Sequence, residues 1–270
     1  MRGFQHAKLF SDVDRTNDPS FFIYFMDEAD KPKGIAESKA IALARMGLGE
    51  GQSVLDLGCG PGADALEMAS IVGDTGRVVG IDASEVMVAE ARRRAGDTAN
   101  ISFQVAQAGA LPFADDTFDA CRASRLLEHL ADPRPALREI IRVTRSGGSV
   151  AVLDLDWDTL IIDHPDKETT RTIVRSHSDS MRNGCVGRQL PRLLKEQHLD
   201  NVSIDATQIF VHWAMVEIFL GTHLSTLIKN ETVSAEQATQ WWEALQRAND
   251  EGTLLVSFTS FVVAGHKGAA

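Results

Sequence analysis

Apolar positions along the middle of the chain fall into two alternating rhythms. Short runs rich in branched residues recur at 53–57 (SVLDL), 77–82 (RVVGID), 101–105 (ISFQV), 118–122 (FDACR) and 148–155 (GSVAVLDL). Each is too short for an ordinary helix and is bounded by turn residues, so each predicts a strand. Between them the spacing lengthens to that of a helix. ADALEMASIV, 63–72, places apolar side chains at i, i+3 and i+4. Ser84 is placed to cap a helix running to Ala95. Pro133 sits in the first turn of a helix that reaches about Thr144, and Gly147-Gly148 stops it. Strands alternating with helices predict a mostly parallel sheet.

After the fifth strand the rhythm changes. Residues 158–187 read as a loop and one helix, inserted ahead of the helix GRQLPRLLKEQHL. A sixth strand, NVSIDATQIF, follows, then helices at about 213–230 and 234–250, and a closing strand, TLLVSFTSFVVAG. If the fifth and sixth strands run parallel to the first, both end at one edge of the sheet, and inserts leaving them stand over it. In open α/β sheets that edge carries the ligand crevice. The first ~45 residues, with the aromatic cluster Phe21-Phe22-Ile23-Tyr24-Phe25-Met26, supply a third piece of cover. The expected organisation is an N-terminal helical cover over 1–45 and one α/β domain over 46–270, with helical inserts at about 158–187 and 212–250. There is no internal repeat or low-complexity tract. Trp213, Trp241 and Trp242 fall on helices and read as core.

Composition narrows the function classes. Hydrophobic residues make up 44% and charged residues 24% of the 270 residues, an ordinary globular balance. The formal net charge is −11, and no basic run exceeds Arg92-Arg93-Arg94, so nucleic acid is not the expected partner. No stretch approaches the ~18 consecutive apolar residues of a membrane span. The opening MRGFQHAKLFSD lacks an apolar signal core. Cys59, Cys121 and Cys185 show neither paired nor metal-ligand spacing and read as free thiols, which suits a reducing cytoplasm. The expected partner is a small-molecule substrate. A homodimer is compatible with the sequence, which leaves the oligomeric state open.

The chemistry concentrates at SVLDLGCGPGADAL, 53–66, where Gly58, Gly60 and Gly62 follow the first strand. Glycines let a backbone turn sharply and approach a ligand closely. Gly58-x-Gly60-x-x-Ala63 satisfies the dinucleotide pattern, but that match alone is weak. Asp56, two residues before the loop, opposes that reading. A carboxylate there repels a pyrophosphate and favours a ligand bearing cations, such as the ammonium and sulfonium of S-adenosylmethionine. Asp82 ends the second strand, where a carboxylate can accept both ribose hydroxyls of an adenosine.

VLDLGCGPG, VVGIDAS with Met87 behind it, ALPFADDTFDACRASRLLEHLADP and REIIRVTRSGGSV together resemble class I S-adenosylmethionine-dependent methyltransferases, within them the ubiquinone and menaquinone biosynthesis-like (type 11) group. The resemblance covers about residues 50–155 and is specific for fold and cofactor, not for substrate. DWDTL…MRNGCVGRQLPRLL is similar to a subset of the group. The resemblance implies a doubly wound, seven-stranded, mostly parallel α/β sheet, a Rossmann-like fold in order 3-2-1-4-5-7-6 with the last strand antiparallel and helical lid insertions. It implies that Asp56, Gly58, Gly60 and Gly62 lie by the methionine and sugar portions of S-adenosyl-L-methionine. Asp82 takes the ribose, and Ala83 and Met87 lie against the adenine. Gln107, followed by Ala108, stands where the family carries an Asp that accepts from the adenine amino group; its amide oxygen can accept the same bond. Arg122 and Ala123 are expected to flank the methionine moiety and the acceptor's entry.

Methyl transfer is an in-line displacement that needs alignment and exclusion of water, with a general base only where the acceptor must lose a proton. His129, in LLEHLADP, is the candidate base, since an imidazole near its ordinary pKa titrates close to neutrality. Asp132 is placed to cap the helix beginning at Pro133. Asp154, Asp156 and Asp158 alternate along an extended segment and share a face, the arrangement of a Mg²⁺ site or of a simple strand end. Trp157 is a candidate pocket wall, and His177, Arg182, Asn183 and Arg188 are candidates for polar substrate groups. Tyr24 is the one candidate tyrosine to fold over the cofactor. The expected reaction is methyl transfer to a small organic molecule, a secondary metabolite or quinone-like acceptor. Two other classes stay open: a non-methylating cyclisation or rearrangement on the same fold, and a non-catalytic cofactor-binding partner.

Overall fold

The computed structural model describes residues 13–16 and 18–268; the opening residues read above for a signal core lie outside that range. Seven strands form one sheet: β1 (Ser53–Leu57), β2 (Arg77–Asp82), β3 (Ile101–Val105), β4 (Phe118–Ser124), β5 (Thr144–Ile162), β6 (Leu199–Phe210) and β7 (Val256–Lys267). Their order is β3-β2-β1-β4-β5-β7-β6. The first five pair in parallel, and β7 runs antiparallel between β5 and β6. Order and direction are those the resemblance implied.

Alternation along β1 divides the core. Val54 packs with the helices Lys33–Met46, Ala63–Val72 and Glu85–Ala95 through Ala42, Met68 and Ala91. Leu55 and Leu57 point the other way, onto the helices Arg134–Val143 and Val186–Glu196 through Ile140 and Leu190. Local signals place the helix ends. Ser84 accepts from Met87 N at 3.2 Å and Gly47 ends Lys33–Met46 at φ 62°; Asp132 accepts from Arg134 N at 3.0 Å, but the helix starts at Arg134, so Pro133 and not Asp132 holds the cap position.

A third apolar cluster stands over the carboxyl edge, joining Ile35, Leu155, Trp157, Ile173, Ile209, Phe219, Trp241 and Phe258. Trp241 is fully buried there and its Nε1 donates to Thr170 Oγ1 at 2.9 Å, with Trp213 and Trp242 packed alongside, as the sequence suggested. The helical segment after β6 runs Trp213–Val216, a π turn Glu217–Gly221, then Thr222–Lys229. A Ser234–Gln237 capping box opens Ala235–Asp250. Among the described residues no helix is long and apolar enough to cross a membrane.

The structure departs from the sequence reading at β5. The strand does not end at 155 but continues to Ile162, with a register break against β7 between Asp156 and Ile161. Trp157 and Leu160 are buried in the third cluster, which makes the continuation favourable. The insert therefore starts later and consists of the helix Lys167–Ser180, capped by Asp166, whose carboxylate accepts from Thr169 N at 3.0 Å.

The helix Lys33–Met46 packs its first turn against β6 through Gly34, where an added Cβ would lie 2.6 Å from Gln208 O and 3.1 Å from Ile209 Cα. Both are backbone atoms and cannot swing away. Gly34→Ala is expected to destabilise the fold by about 1–3 kcal/mol, the range for overpacking. Thermal denaturation checks this, and an unchanged midpoint would contradict the packing described.

Candidate active site

The carboxyl ends of β1, β2 and β4 open into one cavity of about 400 Å³. Its roof is the inner side of the helix Pro19–Ala29, through Phe25, Met26 and Ala29, continued by Pro32 and Ile35. Its floor at one end is the glycine loop and the end of β2. Gly58, Gly60 and Gly62 have φ of 75°, 51° and 86°, the left-handed region that glycine adopts without strain. Gly58 N and Cys59 N donate to Ile81 O at 2.7 and 2.9 Å, tying the loop to β2. Of the three glycines, Gly58 borders the cavity. Gly60 lies under Met26, whose Cε would be 2.5 Å from an added Cβ, and Gly62 is packed against Ala91.

Asp82 lines the same end. Its Oδ2 accepts from Gly60 N and its Oδ1 from Ser84 N, both at 2.9 Å. Burial nevertheless pushes this carboxyl above its ordinary range, against the pull of those backbone donors. A carboxylate has about four acceptor sites, so these backbone donors do not exhaust it. Ala83, Met87, Gln107 and Ala108 line the wall around it. The structure brings these five residues to one cavity.

Besides Gly60 and Gly62, four expected residues lie outside the lining. Asp56 is buried outside the lining, and so are Arg122 and Ala123. The reason is that β4 runs on to Ser124, so the cavity meets Ser124, Arg125 and Leu126 instead. Tyr24 is 52% exposed and outside the lining. Helical phase explains it: Phe25, Met26 and Ala29 share the inward side one turn apart, and Tyr24 does not.

Beneath the loop these displaced groups form a buried ionic network. Arg122 Nη2 lies 2.7 Å from Asp64 Oδ2, and its Nη1 lies 3.9 Å from Asp56 Oδ1. Lys39 Nζ bridges Asp64 Oδ1 at 2.9 Å and Asp30 Oδ2 at 2.6 Å. Asp30 also pairs with Arg125 at the cavity wall. Burial pushes Asp56 up to about 7, partly offset by Arg122. Burial also opposes ionisation of Asp64, but Arg122 and Lys39 hold it well below the usual carboxylate range.

The opposite end of the cavity is apolar and aromatic. Trp157, Ile209, Met215, Phe219 and Phe258 line it. Trp157 thus faces the pocket, with its ring edge-on to His177 at 5.1 Å between centroids. Where this lobe meets the middle of the cavity stand Glu128 and His129. Burial pushes His129 down to about 4, helped by Arg125 and Arg182. The imidazole is therefore not near its ordinary value, as the sequence reading expected: burial favours its neutral form. Glu128, which the sequence reading passed over, is 3% exposed, and its Oε2 accepts from Trp157 Nε1 at 2.5 Å. Burial raises it to about 7. Only the neighbouring letters LEH marked it in the sequence; its environment comes from β5.

The aspartate series of β5 is already engaged. Asp154 accepts from Leu127 N at 2.8 Å and Leu155 N at 3.1 Å. Asp156 and Asp158 both pair with Arg188. Among the described residues no cluster suited to a metal occurs. Arg188 is thereby committed to these acids, away from the cavity. Asn183 braces the turn below: its N donates to Glu128 O at 3.1 Å and its Nδ2 to Leu127 O at 3.3 Å. His177 and Arg182 do reach the cavity.

With this geometry in place, comparison with known proteins is informative. The family described as "Methyltransferase domain" matches residues 48–216. An uncharacterised 37.1 kDa protein in transposon TN4556 of Streptomyces fradiae is 40% identical over 172 residues, 63% of this chain and 50% of its own. Demethylmenaquinone methyltransferase of Halalkalibacterium halodurans is 37% identical over 120 residues, 44% of this chain and 49% of its own. The chain thus spans about half the length of the curated relatives it matches. Phosphoethanolamine N-methyltransferase 2 of Haemonchus contortus, solved in complex with S-adenosyl-L-methionine, superposes with a TM-score of 0.61 at 17% identity, covering 97% of this chain and 60% of its own. At that identity the likeness is one of fold.

The raised acids set a pH dependence. Asp56 and Glu128 have folded values near 7 against ordinary values of 3.8 and 4.5. Between about pH 4 and 7 the folded protein therefore binds more protons than the unfolded chain, and these groups lower stability as pH rises through that window. Arg122→Met removes the cation that offsets this. It is expected to cost about 3–5 kcal/mol at pH 7, the range for orphaning a buried charge, and less at pH 5. Guanidinium denaturation at both values tests it; equal losses would count against the ionic account.

Proposed function

The chain belongs to the methyltransferase domain family, and we propose that it transfers a methyl group from S-adenosylmethionine to a small, largely apolar acceptor. The supporting observation is the cavity whose lining joins Asp82 and Gln107 at one end to an aromatic lobe at the other. The residues present suit the cofactor. Asp82 offers acceptor sites for ribose hydroxyls, Gln107 offers an amide oxygen for an adenine amino group, and Ala83, Met87 and Ala108 offer flat apolar contact beside them. Gly58 leaves the backbone open where the recess passes the loop. Asp56 acts indirectly in this reading, by helping to hold Arg122 beneath the loop.

Bound S-adenosylmethionine supplies a methyl group on a positively charged sulfur, already a good leaving group. What the chain must add is alignment and dryness. Phe25, Met26 and Ala29 close the roof, and the segment carrying Met215 and Phe219 closes the far side. In this reading the N-terminal helices and the insert helices act as cover over the α/β domain. The lobe's aromatic walls favour a flat or hydrocarbon acceptor; a quinone-like compound or a secondary metabolite fits, as would the class of acceptor named by the demethylmenaquinone relative. The free cysteines Cys59, Cys121 and Cys185 agree with a reducing compartment.

Calorimetry with S-adenosylhomocysteine is expected to detect binding to the native chain and at least ~10-fold weaker binding to Asp82→Ala, since two charge-assisted hydrogen bonds are lost. Mass spectrometry after incubation with S-adenosylmethionine and hydroxylated aromatic acceptors should then give products heavier by one methylene unit. Absence of nucleotide binding would defeat the cofactor reading, and an isomerised product of unchanged mass would replace methylation with rearrangement.

A further inference from the structure

Glu128 is buried on a turn and held from several directions. It sits on the 3₁₀ turn Leu127–His129, which is anchored from two sides. β5 supplies Asp154, which accepts from Leu127 N at 2.8 Å. The loop after the helix Lys167–Ser180 supplies Asn183, which donates from its backbone to Glu128 O at 3.1 Å and from its side chain to Leu127 O and Leu130 O. Trp157 then fixes the carboxylate itself through Oε2. The other oxygen, Oε1, stands 3.7 Å from His129 Nε2. The result is a carboxyl group held rigidly at the junction of the nucleotide recess and the aromatic lobe.

We propose that Glu128 is the proton acceptor of the reaction, and that the acceptor substrate is a flat ring bearing an acidic hydroxyl, phenolic or enolic, held among Trp157, Phe219 and Phe258. This rests on the methyltransferase reading above. In the step, the hydroxyl oxygen forms a bond to the methyl carbon while the carbon–sulfur bond breaks and its electron pair stays on sulfur. The hydroxyl proton passes to the Glu128 carboxylate. One anion and one sulfonium cation become a neutral acid and a neutral thioether, so charge and atoms balance.

The groups facing Glu128 support this assignment. From β5 come the carboxyl of Asp154, itself driven well up by burial and by Glu128, and the Trp157 N–H. From the end of β4 comes Arg125, which favours the ionised form without overcoming burial. His129 on the same turn is held neutral by burial and by Arg125 and Arg182, and His177 stands edge-on to Trp157. The net effect places Glu128 near 7, where a base is most effective at neutral pH. A positively charged ligand in the adjoining recess favours the carboxylate, and its neutral product does not. Glu128 thus sheds its proton when the methyl donor arrives and regains one as the methyl group leaves.

The test is calorimetric and needs no acceptor. S-adenosylmethionine and S-adenosylhomocysteine are titrated at pH 7 into the native chain, Glu128→Gln and His129→Gln, each in two buffers of different ionisation enthalpy. Binding of S-adenosylmethionine is expected to release a few tenths of a proton more than binding of S-adenosylhomocysteine. That excess should persist in His129→Gln and vanish in Glu128→Gln, which still binds both nucleotides. An excess retained by Glu128→Gln, or no excess in the native chain, overturns the proposal while leaving the methyltransferase reading intact. Failure of the native chain to bind either nucleotide overturns both.

Discussion

Arg122 reaches out of β4 into a space without water. It is 1% exposed, and its nearest anions are Asp64 at 2.7 Å and Asp56 at 3.9 Å. Removing such a cation from water costs several kcal/mol, and only carboxylates held in place offset that. Those carboxylates come from the end of β1, just before the glycine loop, and from the first turn of the helix after it. One guanidinium therefore pins β1, β4 and the helix Ala63–Val72 together, and both ends of the loop between Asp56 and Asp64 are fixed by it. The position of Gly58 at the cavity and the bond from Gly60 to Asp82 follow from that anchorage.

Much of the cofactor end was legible in the sequence because its determinants are local. Strand ends are marked by turn residues, parallel topology brings those ends to one edge, and Asp82, Ala83, Met87, Gln107 and Ala108 all lie there. What escaped is non-local. The extent of β5 depends on Arg188, some thirty residues on, neutralising Asp156 and Asp158, so an acidic stretch that reads as a strand exit stays in the sheet. Arg122 reads as a ligand contact until Asp64 and Asp56 are seen to enclose it. Tyr24 differs from Phe25 only in helical phase, which a run of six apolar residues does not reveal. Glu128 and His129 depart from their ordinary values in opposite directions because burial acts oppositely on an acid and a base, raising one and lowering the other.

The passage from β4 to the turn at Leu127 concentrates the site's strain. Arg125 has φ 49°, in the left-handed region that non-glycine residues avoid, and its N donates to Leu153 O at 2.7 Å. Such a conformation costs on the order of 1–3 kcal/mol and persists where its surroundings over-determine it. Here it turns the chain abruptly along the cavity, so that Ser124, Arg125 and Leu126 line it, followed a few residues later by Glu128 and His129. One kink serves both halves of the cavity.

The chain of charges from Arg125 through Asp30 and Lys39 to Asp64 links roof to floor. Its members are only partly exposed while paired, and any outward swing of the helix Pro19–Ala29 delivers them to solvent. Dissolved ions stabilise the separated charges more than the paired ones. Added salt therefore weakens this tie between roof and floor.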